Sequence, residues 1–304
     1  MKRIKLLSVL VVAVAAYAAA TVGAAGAALA DGAVSTRAWD CNPLAASLQG
    51  RGGVTREPDL AQVHSDLPAR AKGKAGAAFS ATVPVWFHVV SDGAVGNLTR
   101  SQVAAQIRVL NVTFRGGEGG ADAGFEFELA GVTRTNNAKW FYAGPGGIEH
   151  DMKRTLHRGG ADALNLYSTT AGAYLGWAYL PSIVDSPSQA YLDGIVIDWE
   201  SMPGTSDRYE GQFDQGETAT HETGHWLNLE HTFAGGCGPN GDFVADTPAQ
   251  KTPTSGCPEG KDTCPEPGLD PIHNYMDYSF DSCYTEFTSG QVQRMRDSWL
   301  FFRA

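Results

Sequence analysis

One run of residues, His221-Glu222-Thr223-Gly224-His225-Trp226-Leu227-Asn228-Leu229-Glu230-His231, restricts the fold more than any other part of the chain. On an α-helix, residues i and i+4 share a face, so His221 and His225 can offer two imidazoles to one divalent ion. Glu222 then stands beside that ion, placed to take a proton from a water whose pKa the metal lowers toward about 7. A third ligand is required, and His231 is the candidate. If the helix simply continued, His231 would lie about 9 Å further along the axis, too far for a bond of about 2 Å. The helix must therefore end and turn between the second and third histidine. Asn228 supplies the break, since Asn accepts the left-handed conformation that closes helices more readily than any residue except Gly. HExxH alone arises by chance in unrelated chains; the extended spacing HExxHxxNxxH is what makes a three-histidine site with an open fourth position coherent.

The rest of the chain sets the surroundings. Of 304 residues, 23 are Lys or Arg and 33 are Asp or Glu, a net charge of −10 with no basic tract, which excludes a nucleic-acid partner. Met1 is followed by Lys2, Arg3 and Lys5, then by an uncharged stretch over 6–30 that ends small-x-small. This predicts a signal peptide at 1–30; Gly23 and Gly26 favour cleavage over a membrane anchor. No later apolar run approaches spanning length, so the product is expected to be secreted and extracellular, with no stable membrane association after signal cleavage. Residues 31–80 have no sustained period and read as a pro-segment or N-terminal extension, with 70–76 an exposed, cuttable linker. The main domain is then 81–304.

Within it, 83–90 (VPVWFHVV) predicts a strand. Val103, Ile107, Leu110 and Phe114 recur at helical spacing over 99–114, with Thr99 or Ser101 as N-cap. FEFELAGV at 125–132 alternates as a half-buried strand, and 164–168 and 194–199 are two further short strands. Regular patterning stops near Gly235 and returns in a helix over 289–302. The irregular stretch between holds four of the five cysteines, Cys237, Cys257, Cys264 and Cys283, with no CxxC pair of the kind zinc-thiolate sites bring. Sequence alone allows three pairings of these four.

Taken in order, VPVWFHVV, LGWAYLP, DGIVIDWESMPG, HETGHWLNLEHTF, GDFVADTP, NYMDYSFDSC and FTSGQVQRM resemble the metzincin clan, and within it the pappalysin-type zinc metalloproteases of peptidase family M43. The resemblance spans 83–302 and implies an α+β metzincin (zincin-like) catalytic domain. Its twisted, mostly parallel sheet and active-site helix would form the N-terminal half, and an irregular, disulfide-stapled C-terminal half would end in a helix. It implies Zn²⁺ on His221, His225 and His231, an apolar floor under the metal from Met276, and a hydrogen bond from Tyr278 to the tetrahedral intermediate. It implies cystines Cys237–Cys264 and Cys257–Cys283, and Ca²⁺ held by Asp242 and Thr247, whose hard oxygens suit that ion. It also places Asp281 in the wall of the primed-side pocket, where a carboxylate would favour Arg or Lys after the scissile bond. Where the family usually has Gly, this chain has Asn228, at a backbone cost of about 1 kcal/mol.

The expected function is a secreted zinc endopeptidase, made as a zymogen and acting on protein or peptide substrates, with Glu222 as base. Cys41 has two readings, a latency switch whose thiolate sits on zinc, or a free or intermolecular thiol. Two rivals are open: a zincin whose third ligand is Glu259 or Glu266 instead of His231, and an extracellular module that holds a metal and cleaves nothing.

Overall fold

β-Branched and aromatic residues on both faces of Ala81–Ser91 make it a central strand, β1, because a strand covered on both sides needs apolar residues at consecutive positions. The computed structural model describes residues 56–58, 60, 62, 65–76 and 78–304; the expected signal peptide at 1–30 and Cys41 lie outside the described residues. β1 pairs in parallel with β2 (Phe125–Asn136) on one side and β3 (Leu164–Thr169) on the other. β3 pairs in parallel with β5 (Ile195–Asp198), and β4 (Gly176–Ala178) runs antiparallel along β5 as the edge, giving the order β2-β1-β3-β5-β4.

Helix α1 (Arg100–Phe114) starts in a capping box at Thr99 and buries Val103, Ile107, Leu110 and Phe114, as their spacing predicts. Helix α2 (Gly147–Leu156) was not anticipated: the glycines and proline at 144–147 mask its start, and its buried face includes the ion pair Glu149–Lys153 at 3.1 Å. Helix α3 (Glu217–Trp226) and the final helix α4 (Ser289–Phe302) pack with α1 around a core that includes Phe114, Phe125, Phe127, Trp226, Phe287 and Trp299. No described helix is long and apolar enough to cross a membrane.

Between α3 and α4 the backbone holds no strand and a single 3-10 turn at Asp281–Cys283. Two cystines, Cys237–Cys264 and Cys257–Cys283, interleave across it, the pairing the resemblance implied. Each closes a loop of 27 or 26 residues, which restricts the unfolded chain by about 3–4 kcal/mol. The 70–76 stretch carries exposed side chains but is fastened. Asp297 on α4 accepts the backbone N–H groups of Gly73, Lys74 and Ala75 at 2.6–2.9 Å.

The chain end is tied to the end of α3. Arg303 and Asp193, both buried, form a two-pronged pair at 3.0 Å, Trp226 Nε1 donates to Asp193 at 3.1 Å, and the guanidinium lies 3.5 Å from the Trp226 ring centre. Removing one member of a buried pair leaves an uncompensated charge. Asp193→Asn is expected to cost about 3–5 kcal/mol of stability, read as a drop of about 10 °C in a thermal melt.

Candidate active site

All ten residues of α3 are buried, so its side chains are fixed by packing before any ion arrives. The helix ends as its sequence requires. Asn228 takes φ +78°, its N–H donates to His225 O at 2.8 Å, and Leu229 N donates to Gly224 O at 2.9 Å, the paired bonds of a Schellman closure. The chain thereby turns back and carries His231 to the other two histidines. Arg294 on α4 locks the turn by donating to Asn228 O at 2.7 Å.

The three Nε2 atoms converge: His225 lies 3.2 Å from His221 and 3.1 Å from His231. Nδ1 of His221 faces Tyr275 O at 2.6 Å and Nδ1 of His225 faces Leu229 O at 2.8 Å. A carbonyl accepts only, so each Nδ1 carries the proton and each Nε2 directs a lone pair inward. Lone pairs cannot hydrogen-bond one another, and the two spacings match the edge of about 3.3 Å of a tetrahedron with bonds of about 2.0 Å. The donor set therefore fits the expected Zn²⁺. Glu259 lies instead at His273, 3.4 Å away, and Glu266 beside Cys237 and Cys264, so neither is at the histidines.

Glu222 is 1% exposed, and its Oε2 has no hydrogen-bond partner. Burial, then the charge of Glu57, pushes its carboxyl well above the usual range, against the pull of Lys153. The edge strand comes this close because residue 176 is Gly: a Cβ there would meet Glu222 Oε1 at 2.7 Å. Under the helix, Met276 is fully buried, and a Cβ at Gly224 would lie 2.4 Å from its sulfur. That contact explains why the helix carries a Gly between its two histidines. Asp277 anchors the same loop by accepting from Thr254 N at 2.9 Å and Tyr278 N at 2.7 Å. The Tyr278 ring stands 4.9 Å from the His231 ring and 5.7 Å from that of His221.

Asp281 is buried in a hollow on one side of the histidines, and Gln215 N donates to it at 2.9 Å. Asp242 and Thr247 come side by side elsewhere; Asp242 Oδ2 and Thr247 Oγ1 are buried without well-formed hydrogen bonds. Their neighbour Asp246 caps α4, accepting from Thr288 Oγ1 and Gly290 N at 2.8 Å.

Three residues at the site went unnoticed in the sequence: Arg56, Glu57 and Glu217. Glu57 Oε1 is 2.6 Å from His221 Nε2 and 3.0 Å from His231 Nε2, and Oε2 is 3.5 Å from His225 Nε2. Arg56 enters the Asp281 hollow, donates to Tyr278 O and to Ser279 O at 2.9 Å, and lies 3.8 Å from the Phe213 ring centre. Its carbonyl accepts from Leu175 N at 3.0 Å and Gly176 N at 3.3 Å, while Gln62 pairs with Ala178 O and Leu180 N at 3.0 and 2.6 Å. Arg56 and Gln62 thus both lie along the edge strand β4. No spacing rule points from 57 to 221. Glu217 stands one turn before His221, so extending the i, i+4 reading backwards would have found it.

Residues 205–299 match the family described as Peptidase M43, pregnancy-associated plasma protein-A. The chain is 44% identical over 232 residues to an extracellular metalloprotease of Arthroderma benhamiae, covering 75% of each. It is 41% identical over 272 residues to extracellular metalloprotease 1 of Coccidioides posadasii, covering 86% of this chain and 94% of the relative. Among solved structures it is similar to mature mirolysin of Tannerella forsythia in complex with a cleaved peptide, with 31% identity and a TM-score of 0.60 over 72% of this chain and 91% of that one. Promirolysin from the same organism superimposes with a TM-score of 0.62 at 30% identity, covering 73% of this chain and 81% of that one.

Proposed function

Since the chain belongs to peptidase family M43, a family of metallopeptidases, we propose that it is a secreted zinc-dependent endopeptidase that hydrolyses peptide bonds of extracellular proteins. The observation that carries this reading is the convergence of three Nε2 atoms beside a buried, unpartnered Glu222 oxygen. His221, His225 and His231 would hold the ion, which when bound supplies Lewis-acid polarisation of water and of the scissile carbonyl. Glu222 takes the proton of the attacking water and passes it to the leaving amine nitrogen as the C–N bond breaks. Tyr278, its hydroxyl kept protonated by burial and by the negative charge of Glu222, donates to the developing oxyanion. The substrate lies extended on the edge of β4, with an Arg or Lys after the scissile bond directed at Asp281. Calcium is assigned to Asp242 and Thr247.

The same reading makes the described chain the latent form. Glu57 spans the three histidines at 2.6–3.5 Å, so its carboxylate would compete with water for an ion that they held. Arg56 fills the adjacent hollow. Activity therefore requires Arg56 and Glu57 to leave the cleft.

Removing the ion tests the proposal. Dialysis of the processed protein against a zinc chelator is expected to abolish hydrolysis of casein or gelatin, and added Zn²⁺ to restore it. No turnover from processed protein that retains one zinc per chain would favour the non-catalytic module.

A further inference from the structure

We infer that Glu217 is a second specificity-determining acid of the cleft, acting with Asp281 to select a guanidinium side chain after the scissile bond; the inference rests on the endopeptidase reading and deepens it. Glu217 opens α3, one turn before His221, so both project on the same helix face. It lines the hollow that also holds Asp281 and Arg56. Both acids are 4% exposed, and Glu217 Oε2 receives no hydrogen bond. A carboxyl buried in that state is costly unless a ligand supplies the missing donor.

The chain's own Arg56 indicates which ligand. Its guanidinium is stacked on Phe213 and spends Nη2 on the carbonyls of Tyr278 and Ser279. Its charge favours the ionised form of Asp281. A guanidinium has five N–H donors in a plane, enough to serve two carbonyls and two acids together, whereas an ammonium offers three from a point. With Arg56 in place the hollow retains about 20 Å³, room for one water, so its size suits a side chain of this length. With Arg56 bonded to the two carbonyls the acids still share a proton: burial and then Asp281 push Glu217 up to about 10, and burial pushes Asp281 up to about 6 against the pull of Arg56. A guanidinium bonded directly to both carboxyls would take over the role of that proton.

The test compares peptides differing only in the residue after the cut, Arg, Lys or Leu, using the secreted protein after its own processing. Glu217→Gln is expected to lower kcat/KM for the Arg peptide by about 10- to 100-fold, as for loss of a charged hydrogen bond. The loss should fall mainly on KM and leave the Leu peptide unchanged; Glu217→Asp should recover part of it. A structural role alone would leave the Arg-to-Leu ratio where it was, because Gln is isosteric with the protonated acid, and that result overturns the assignment. If Glu217→Gln does not accumulate, the Asp variant carries the same comparison. If the wild-type protein cleaves nothing, the endopeptidase reading fails. The hollow is then judged by calorimetry with N-acetyl-arginine amide: tenfold weaker binding to the Gln variant supports the assignment, and equal binding overturns it.

Discussion

Glu222→Gln is expected to lower kcat by about 10²- to 10⁴-fold, the usual worth of a positioned general base, while zinc content and thermal stability stay near wild type. The carboxyl is enclosed by the edge strand at Gly176, with no hydrogen bond to Oε2 and the charge of Lys153 in reach. None of these contacts holds the fold together, and a neutral amide of the same shape relieves a desolvated acid. What it cannot do is accept the proton of the attacking water. Steady-state hydrolysis of a peptide together with zinc determination by atomic absorption checks this. A variant that loses metal along with activity would make Glu222 a ligand and remove its role as base.

The second large effect is expected in the opposite direction. Arg56→Ala combined with Glu57→Ala should let the unprocessed chain cleave peptide, with a rate about 10²- to 10⁴-fold above unprocessed wild type, since two charged hydrogen-bonded groups at about 1.5–3 kcal/mol each leave the cleft. The polarity of the stretch explains how it can sit there uncut. Arg56 meets the start of β4 at Leu175 and Gly176, and Gln62 meets its end at Ala178 and Leu180, so the direction from Arg56 to Gln62 is that of β4. A substrate with its basic residue after the scissile bond presents to the metal the residue preceding that Arg. Here the residue following Arg56 does so, and it arrives as a side-chain carboxylate instead of a peptide carbonyl. The occupant is reversed, which keeps a scissile bond away from Glu222. Initial rates on a fluorogenic peptide, before any N-terminal cut appears by mass spectrometry, measure the effect. If the double variant stays as silent as wild type while Cys41→Ser is active at once, latency belongs to the cysteine, and the Glu57 contact does not hold the zymogen.

The elements legible in the sequence are those whose signal is local. Val103, Ile107, Leu110 and Phe114 announced α1, and Thr99 announced its start. The bounds of α4 coincide with the periodic stretch over 289–302 because Thr288 and Gln291 form a capping box that leaves little freedom in where it begins. β2 alternates as read but runs on to Asn136, since its outer positions face solvent and carry no apolar mark. β4 has only three residues, Gly176–Ala178, too few for a period; its existence depends on β5 being there to pair with.

The candidate site divides along the same line. HExxHxxNxxH determined by itself that a helix must present two imidazoles, stop at Asn228 and return with a third, because helix pitch and the left-handed preference of Asn are properties of neighbouring residues. Only the tertiary structure decided what surrounds them. Glu57 approaches His221 from 164 positions earlier in the chain, and Asp281 meets Glu217 across 64 residues of which many are irregular and stapled by cystines. Contacts of that span are set by where the sheet edge, the α3 terminus and the cystine-bound loops come to rest against one another, a three-dimensional outcome that no spacing along the chain encodes.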